Sequence, residues 1–400
     1  MQDIQRKQAT YTAHSSKTGI VGKYDVWLLG ISLFIVGLGL VMVASSSVTV
    51  AERQFHDTLH YFWRQGISIL LGVSLAIVAI KLPMKIWQYA SVPLLLAGIF
   101  LLVLVLLPAI GREVNGSMRW IGFGPFALQA SEPVKLCTIA YLAGYLVRHN
   151  KSVKDSFAGF IRPVGVLTLI AALLLLEPDY GASVVLFATA LGMLFMGGVP
   201  ISRFIAWVMV AVVALFSLAI LSPYRLQRLM SFADPWQDPY NSGFQLTQAL
   251  IAFGRGDWFG VGLGSSVQKL FYLPEAHTDF IFAVMAEELG LVGSVTIILL
   301  FSFLVWRAFV IGQLAERTGK LFSAYFAYGI GLVIGIQAYI NLGVNMGVLP
   351  TKGLTLPLMS YGGNSIIICC ILIGILLRIE YENRQPEWGQ FPKAVTPYAA

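Results

Sequence analysis

Ten apolar runs, each long enough or nearly long enough to cross about 30 Å of hydrocarbon, limit this 400-residue chain to very few folds. A backbone inside a bilayer must satisfy its own hydrogen bonds, so only helices and closed barrels span one, and runs without alternating polar residues favour helices. The chain is 57% hydrophobic and only 12% charged, which excludes a soluble domain. We therefore predict an all-α polytopic membrane protein with ten transmembrane helices. The predicted spans cover residues 26–44, 66–80, 89–110, 127–147, 164–176, 181–196, 204–221, 280–306, 322–342 and 355–377.

The distribution of lysine and arginine predicts which side of the membrane each connection occupies. With a cytoplasmic N-terminus, the inner segments carry seventeen of these residues and the outer segments nine. Four of the nine lie in one long outer loop, where the positive-inside rule counts charges least. Both termini are therefore predicted to be cytoplasmic. The predicted organisation is a cytoplasmic tail over 1–25, a ten-span domain over 26–378 with a large periplasmic loop at 222–278 between spans seven and eight, and a cytoplasmic tail over 379–400.

The net charge and the positions of the cysteines further narrow the class of protein. The net charge of +7 suits a cytoplasmic face lying on anionic lipid and does not indicate nucleic-acid binding. All three cysteines fall inside predicted spans, so no disulfide framework is predicted. The first 25 residues are polar, and no cleavable signal peptide is visible.

The long outer loop is the most unusual connection. Loops of more than fifty residues without a domain of their own usually have a function. Within it, Phe244, Leu246, Leu250 and Phe253 recur at helical spacing. We expect this loop to lie along the membrane surface as short interfacial helices.

Three ionisable residues, Glu275, His277 and Asp279, stand where this loop enters the eighth span. Ionisable groups at such a position are costly and usually serve a function, so they are candidates for chemistry at the outer membrane face. A structural role without chemistry remains an alternative interpretation for each residue. Asp279 can be a dipole complement at a helix N-terminus, and His277 is more often a loop or interface residue than a base.

A second polar constellation is predicted inside the membrane. Glu132 and Lys135 are three residues apart in the fourth span, hence on one helix face, where each lowers the other's cost of burial. Glu177 and Asp179 lie in the very short turn between the fifth and sixth spans. These residues predict a polar cavity open to the outside. A purely structural ion pair between Glu132 and Lys135 is an equally good interpretation.

Four segments carry a resemblance to a known family. They are YLPEAHTDFIFAVMAEELG at 272–290, LPTKGLTLPLMSYGGNS at 349–365, SEPVKL at 131–136 and EPDYG at 177–181. Together they resemble the SEDS family of cell-wall polymerases, whose members act in shape, elongation, division and sporulation. The Thr-Lys-Gly-Leu-Thr run before the last Pro-Leu is most similar to the members that act in division. The resemblance extends from the first span to the last.

The resemblance implies a glycosyltransferase that polymerises lipid II into glycan strands at the division septum and releases undecaprenyl diphosphate. It implies that the partners are a class B penicillin-binding transpeptidase, FtsI, together with the FtsQ–FtsL–FtsB complex and FtsN. The family's essential aspartate falls on Asp279, its intramembrane glutamate and lysine on Glu132 and Lys135, and its acidic position between spans five and six on Asp179.

The implied reaction needs a carboxylate to accept a proton from a sugar hydroxyl, cations to hold pyrophosphate and an apolar path for lipid tails. Asp279 is the candidate base, with Glu275 and His277 beside it. A divalent cation, Mg²⁺ or Mn²⁺, is left open as a cofactor. The sequence contains no phosphate-binding loop for ATP, and none is required because the donor carries its own leaving group. The candidate cations are Arg119, Lys135, Arg225, Arg228, Arg255 and Lys269.

Two other classes stay open at this point. A lipid II flippase would also explain charges inside the membrane. A non-enzymatic division scaffold would explain the tails and the GxxxG pattern formed by Gly331 and Gly335, which predicts a close helix contact.

Overall fold

The structure is a computed structural model that describes residues 24–114, 117–123, 126–220, 230–351 and 353–385. Thirteen helices and one small sheet are found in these residues. The helices are α1 (Val26–Phe55), α2 (His60–Lys81), α3 (Met84–Tyr89), α4 (Ser91–Val105), α5 (Ser131–Arg148), α6 (Asn150–Asp155), α7 (Phe157–Leu176), α8 (Tyr180–Met196), α9 (Ile201–Ile220), α10 (Phe244–Gly256), α11 (Ile281–Arg317), α12 (Leu321–Asn345) and α13 (Gly363–Arg384), and the strands are β1 (Gly111–Val114), β2 (Ser117–Phe123) and β3 (Phe126–Gln129).

Six of the described helices are long and apolar enough to cross a membrane, which makes this an integral membrane protein. They are α1, α2, α7, α11, α12 and α13. Helices α4 and α8 and the first half of α9 are apolar but shorter. Helix α5 fills the place of the predicted fourth span and is buried along nearly its whole length, because α4, α8 and α12 all pack against it. The count of ten spans stays a prediction.

Two predicted spans were wrong at their N-terminal ends. Residues 127–129 belong to β3 and not to the fourth span, and residues 355–362 precede the last helix, which begins at Gly363. The sheet was missed because β1 and β3 have only four residues each; β2 pairs antiparallel with both of them. The 355–362 segment is apolar because it is buried inside the protein, the one setting in which irregular backbone is tolerated at membrane depth.

Helix α11 is interrupted at Gly290, where the outer loop inserts its backbone. Gly290 has φ 69° and ψ −165°, and a Cβ there would lie 2.4 Å from the Gly260 nitrogen. The loop bonds to both sides of the break: the Gly262 N–H donates to the Glu288 carbonyl at 3.1 Å, and the Leu291 N–H donates to the Asp257 carbonyl at 2.8 Å. Only glycine fits this conformation and this close approach.

The glycines of the GxxxG pattern lie between α11 and α12 within this chain. An added Cβ would lie 3.1 Å from the Ala308 Cβ at Gly331 and 3.0 Å from a Val305 methyl group at Gly335. The pattern therefore makes the close helix contact that was predicted.

We expect Gly335→Leu to destabilise the folded protein by about 1–3 kcal/mol, because the larger side chain overpacks this contact. The measurement is the midpoint of thermal unfolding in detergent. Gly30→Leu is the matched control, since Gly30 is an exposed helical glycine whose Cβ would meet nothing within 4 Å. Equal midpoints for the two variants would contradict the prediction.

Candidate functional site

Asp279 is fixed through its backbone at the entrance to α11. Its carbonyl accepts hydrogen bonds from the side-chain amides of Asn341 at 2.8 Å and Asn345 at 2.9 Å, both on α12. The Asn345 side-chain oxygen in turn accepts the Ala283 N–H at 3.1 Å. Two neighbouring amides of one helix therefore set where Asp279 stands, while its partly exposed side chain lies against the segment 353–355.

That segment begins at Gly353, which lies against the carboxylate. A Cβ at this position would be 2.9 Å from Asp279 Oδ2. The next carbonyl, of Leu354, accepts a hydrogen bond from Asn341 at 2.5 Å. Asn341 thus holds both Asp279 and the chain that faces it, and the absence of a side chain at Gly353 leaves room for the carboxylate.

The predicted pair of Glu132 and Lys135 on α5 is confirmed as a buried ion pair, with 2.8 Å between Lys135 Nζ and Glu132 Oε1. The same ammonium donates to the side-chain oxygen of Gln337 at 2.7 Å, and the Gln337 amide donates to the Thr355 carbonyl at 3.0 Å. The second carboxylate oxygen of Glu132 is buried and has no partner among the described residues. The pair is thereby connected to the segment beside Asp279.

The sequence analysis missed the three amides of α12 that join these groups. Gln337, Asn341 and Asn345 are four residues apart and so lie on one face of the helix. Polar residues repeated at that spacing inside an apolar span are a signal for function that was available in the sequence.

The turn at Asp179 lies next to the same segment. One carboxylate oxygen of Asp179 accepts the Ala182 N–H at 3.2 Å and caps α8, and the other accepts from the Gln129 amide at 3.4 Å. A Cβ at Gly181 would lie 2.8 Å from a Leu354 methyl group. The start of α8, which Asp179 caps, therefore packs against Leu354, next to the Gly353 that lies against Asp279.

Arg119 holds this turn from β2. Its guanidinium donates to the carbonyl oxygens of Glu177 at 3.3 Å and Pro178 at 2.6 Å. The Glu177 carboxylate is fully buried, and neither of its oxygens has a partner among the described residues. Burial first, and the neighbouring Asp179 second, raise the pKa of Glu177 to about 8, although Arg119 opposes the shift. Glu177 is therefore largely protonated near neutral pH.

His277 lies in an aromatic cluster. Its ring centroid is 4.5 Å from that of Tyr61 and 5.6 Å from that of Tyr361, and its Nδ1 has no partner among the described residues. Burial lowers the pKa of His277, which Glu275 opposes, so the ring is neutral near pH 7. The exposed Glu275 accepts a hydrogen bond from the Thr278 hydroxyl at 2.7 Å. Both residues shape the loop that leads into Asp279.

Two of the candidate cations are engaged in anchoring the outer loop. Lys269 donates to Glu288 at 2.8 Å, and the same carboxylate accepts from the Ser45 hydroxyl on α1 at 2.8 Å. Arg255 at the end of α10 pairs with the buried Glu287 at 3.4 Å. The two glutamates therefore pack the loop against α1 and α11. The candidate cations Arg225 and Arg228 lie outside the described residues.

Comparison with known proteins identifies the family to which this chain belongs. The family described as "Cell cycle protein", FtsW/RodA/SpoVE, matches residues 26–385. The chain is similar to proteins described as "Probable peptidoglycan glycosyltransferase FtsW": that of Nitrosococcus halophilus is 53% identical over 94% of this chain and 97% of the relative, and that of Coxiella burnetii is 53% identical over 92% and 99%.

Two solved structures have the same fold. One, described as "Structural coordination of polymerization and crosslinking by a peptidoglycan synthase complex", has a TM-score of 0.74 and 31% identity and covers 91% of this chain and 99% of its own. The rod shape determining protein RodA of Thermus thermophilus has a TM-score of 0.66 and 29% identity, covering 91% and 98%. The chain therefore belongs to the FtsW/RodA/SpoVE family of cell cycle proteins, the SEDS family that its motifs predicted.

Proposed function

We infer that the protein is a peptidoglycan glycosyltransferase that polymerises lipid II into glycan strands at the division septum. Relatives with 53% identity over nearly the whole chain are described as probable peptidoglycan glycosyltransferases, which supports this inference. The observation that carries the mechanism is the position of Asp279, held by Asn341 and Asn345 beside Gly353. A partly exposed carboxylate whose position is fixed through its backbone is suited to general-base chemistry.

The reaction joins two lipid-linked saccharides. A hydroxyl oxygen of the acceptor forms a bond to the anomeric carbon of the donor, and the bond from that carbon to the pyrophosphate oxygen breaks. The electron pair leaves with undecaprenyl diphosphate, and the hydroxyl proton goes to the Asp279 carboxylate. Since the leaving group is already activated, the protein's task is to position the hydroxyl, accept the proton and balance the charge of pyrophosphate.

We propose that the substrate-binding surface is built around Asp279 from the remaining candidates. Lys135 orders Gln337 and so the 353–355 segment, while the unpartnered oxygen of Glu132 remains available as an acceptor. Asp179 and Arg119 approach that segment from the turn before α8. Arg119 has five N–H groups, of which the turn occupies two, and the others are available to an anion. Glu275 and His277 complete the surface from the loop.

A divalent cation is compatible with this site. Mg²⁺ is usually held by one or two carboxylates together with substrate phosphates. Within the described residues no group of three or more His, Cys, Asp and Glu side chains is placed to hold a metal ion. We propose that Mg²⁺ or Mn²⁺, when bound, is held by the Asp279 carboxylate and supplies positive charge next to the pyrophosphate.

We place the protein in the bacterial inner membrane with both termini in the cytoplasm and Asp279 at the outer face. The excess of lysine and arginine in the inner segments supports this orientation. One structural relative comes from a study of the coordination of polymerization and crosslinking by a peptidoglycan synthase complex. By analogy, a class B transpeptidase, FtsI, is the proposed partner, with the FtsQ–FtsL–FtsB complex and FtsN as further partners at the division site.

The test is to incubate the purified protein, alone and with its transpeptidase partner, with labelled lipid II in liposomes. Glycan strands that appear in either sample are the expected result. Transfer of lipid II between leaflets without strands would indicate a flippase, and neither activity in the presence of the partner would indicate a scaffold.

We expect Gly353→Ala to lower the polymerisation rate by about ten- to a hundredfold, because the new methyl group would displace the end of the Asp279 side chain from its place. The atom that must move belongs to a side chain and not to the backbone, so the unfolding midpoint should stay unchanged. Gly254→Ala is the control, since Gly254 lies in the outer loop and its Cβ would meet nothing within 4 Å. A wild-type rate in Gly353→Ala would show that the Asp279 carboxylate does not act from this position.

A further inference from the structure

A second polar site lies at the end of the bundle opposite Asp279. It is a cavity of about 590 Å³ beside the start of α12, lined in part by Leu321. The other end of α12 is Asn345, which binds the Asp279 carbonyl. A helix of 25 residues is about 37 Å long, so the thickness of a membrane separates the cavity from Asp279. In the orientation proposed above, the cavity opens to the cytoplasmic leaflet.

Positive charge predominates in this cavity. Lys85, Lys320 and Arg378 line it, and Glu382 is the acidic residue among its described lining. Arg378 donates to the Glu382 carboxylate at 2.8 Å, so these two charges cancel. Lys320 donates only to the backbone carbonyl of Glu382, and no ion pair of Lys85 or Lys320 occurs in the described residues. Two positive charges are left without a neutralising partner.

Hydrogen-bond donors converge on the same space. Ser323 lines the cavity and is 4% exposed. A hydroxyl group on a cavity wall can donate a hydrogen bond to an anion that binds there. Helix α12 also begins here without a side-chain cap at Lys320, and the N–H groups of a first helical turn have no partner within the helical ladder.

Apolar residues complete the lining. Met84, Val147, Leu321 and Phe322 contribute to it alongside the charged groups. A purely aqueous ion would gain nothing from these side chains, whereas the glycerol and upper acyl carbons of a phospholipid would bury apolar area against them.

We propose that this cavity binds a phosphate-bearing anion through Lys85, Lys320 and Ser323. The chemistry of the site selects a phosphate group; its source is either the headgroup of an anionic phospholipid in the adjacent leaflet or a soluble phosphate. The negative surface potential of a cytoplasmic leaflet concentrates such headgroups at this depth.

The test uses the full-length protein in a neutral detergent. Binding of phosphatidylglycerol and of phosphatidylcholine is measured by native mass spectrometry, and binding of inorganic phosphate by calorimetry. We expect phosphatidylglycerol to bind more tightly than phosphatidylcholine, and Lys85→Gln to weaken that binding roughly fivefold. Ser323→Ala should weaken it at least as much, because hydrogen bonds to charged groups are strong. Binding of inorganic phosphate with the same dependence on both variants would identify the soluble source.

Lys151→Gln is the matched control, because Lys151 is an exposed lysine of α6 on the same membrane face and does not line the cavity. Lys85 is also exposed and has no ion-pair partner in the described residues, so its substitution should not disturb folding. Binding of both anions unchanged in Lys85→Gln and Ser323→Ala would overturn the proposal. An equal loss in Lys151→Gln would also overturn it, since it would indicate a general attraction to the basic face.

Discussion

Replacing Asp279 by Asn is expected to lower the rate of lipid II polymerisation by roughly two to four orders of magnitude, the usual contribution of a general base. Asn keeps the size and shape of the side chain, but its neutral amide cannot accept the proton of the acceptor hydroxyl and brings no negative charge to a bound cation. The backbone carbonyl of residue 279, which Asn341 and Asn345 bind, is unchanged. The variant should therefore fold, insert and bind its partners as the wild type does. The measurement is strand formation by the purified variant from labelled lipid II.

Asp234→Asn is the control for Asp279→Asn, since Asp234 is an exposed aspartate of the outer loop. If Asp279 were only a dipole complement to α11, its substitution would cost at most about 1 kcal/mol of stability and activity would survive. Polymerisation above about a tenth of the wild-type rate would refute the general-base role. Glu275 would then be the next candidate base, because its exposed carboxylate can reach solvent. The buried His277 would follow it.

The second large effect is expected at the buried ion pair of α5. Lys135→Met leaves the Glu132 carboxylate buried without its partner, and Glu132→Gln leaves the buried ammonium without a negative charge beside it, although Gln337 still accepts a hydrogen bond from it. Breaking a buried pair from one side costs roughly 3–5 kcal/mol. The double variant removes both charges, so its loss should be smaller than the sum of the two single losses. Unfolding midpoints and polymerisation rates of all four proteins form the double-mutant cycle.

Additive losses in this cycle would mean that the two side chains act independently, despite the 2.8 Å between them. A coupling seen in stability and also in rate is the expected result, because Lys135 holds Gln337 and Gln337 holds the Thr355 carbonyl near Asp279. A coupling in stability with unchanged rates would assign the pair a purely structural role.

The parts of this structure that local sequence can specify were predicted well. The apolar runs predicted the long helices, the spacing of Glu132 and Lys135 predicted their contact, and the periodic apolar residues of the outer loop predicted α10. Each of these depends on residues within one or two turns of a helix.

The features that were missed depend on partners far along the chain. The break in α11 exists because residues 257–262 insert there, and nothing near Gly290 in the sequence identifies that partner. The role of Asn341 and Asn345 likewise depends on the carbonyl of residue 279, some sixty residues earlier. The sheet at 111–129 was missed because two of its three strands have only four residues, which carry too little periodic signal.

The insertion at Gly290 has a mechanical consequence. Because loop amides and carbonyls replace part of the helical ladder of α11, the outer loop and the first turns of α11 share one set of hydrogen bonds. Neither can open while the other stays closed, so their amide protons should exchange with solvent together, as one cooperative unit. A force applied to this loop, for instance by a protein bound to its exposed surface, would therefore be transmitted to the short stretch of helix that directly follows Asp279. The half of α11 that follows the break at Gly290 would not receive this force.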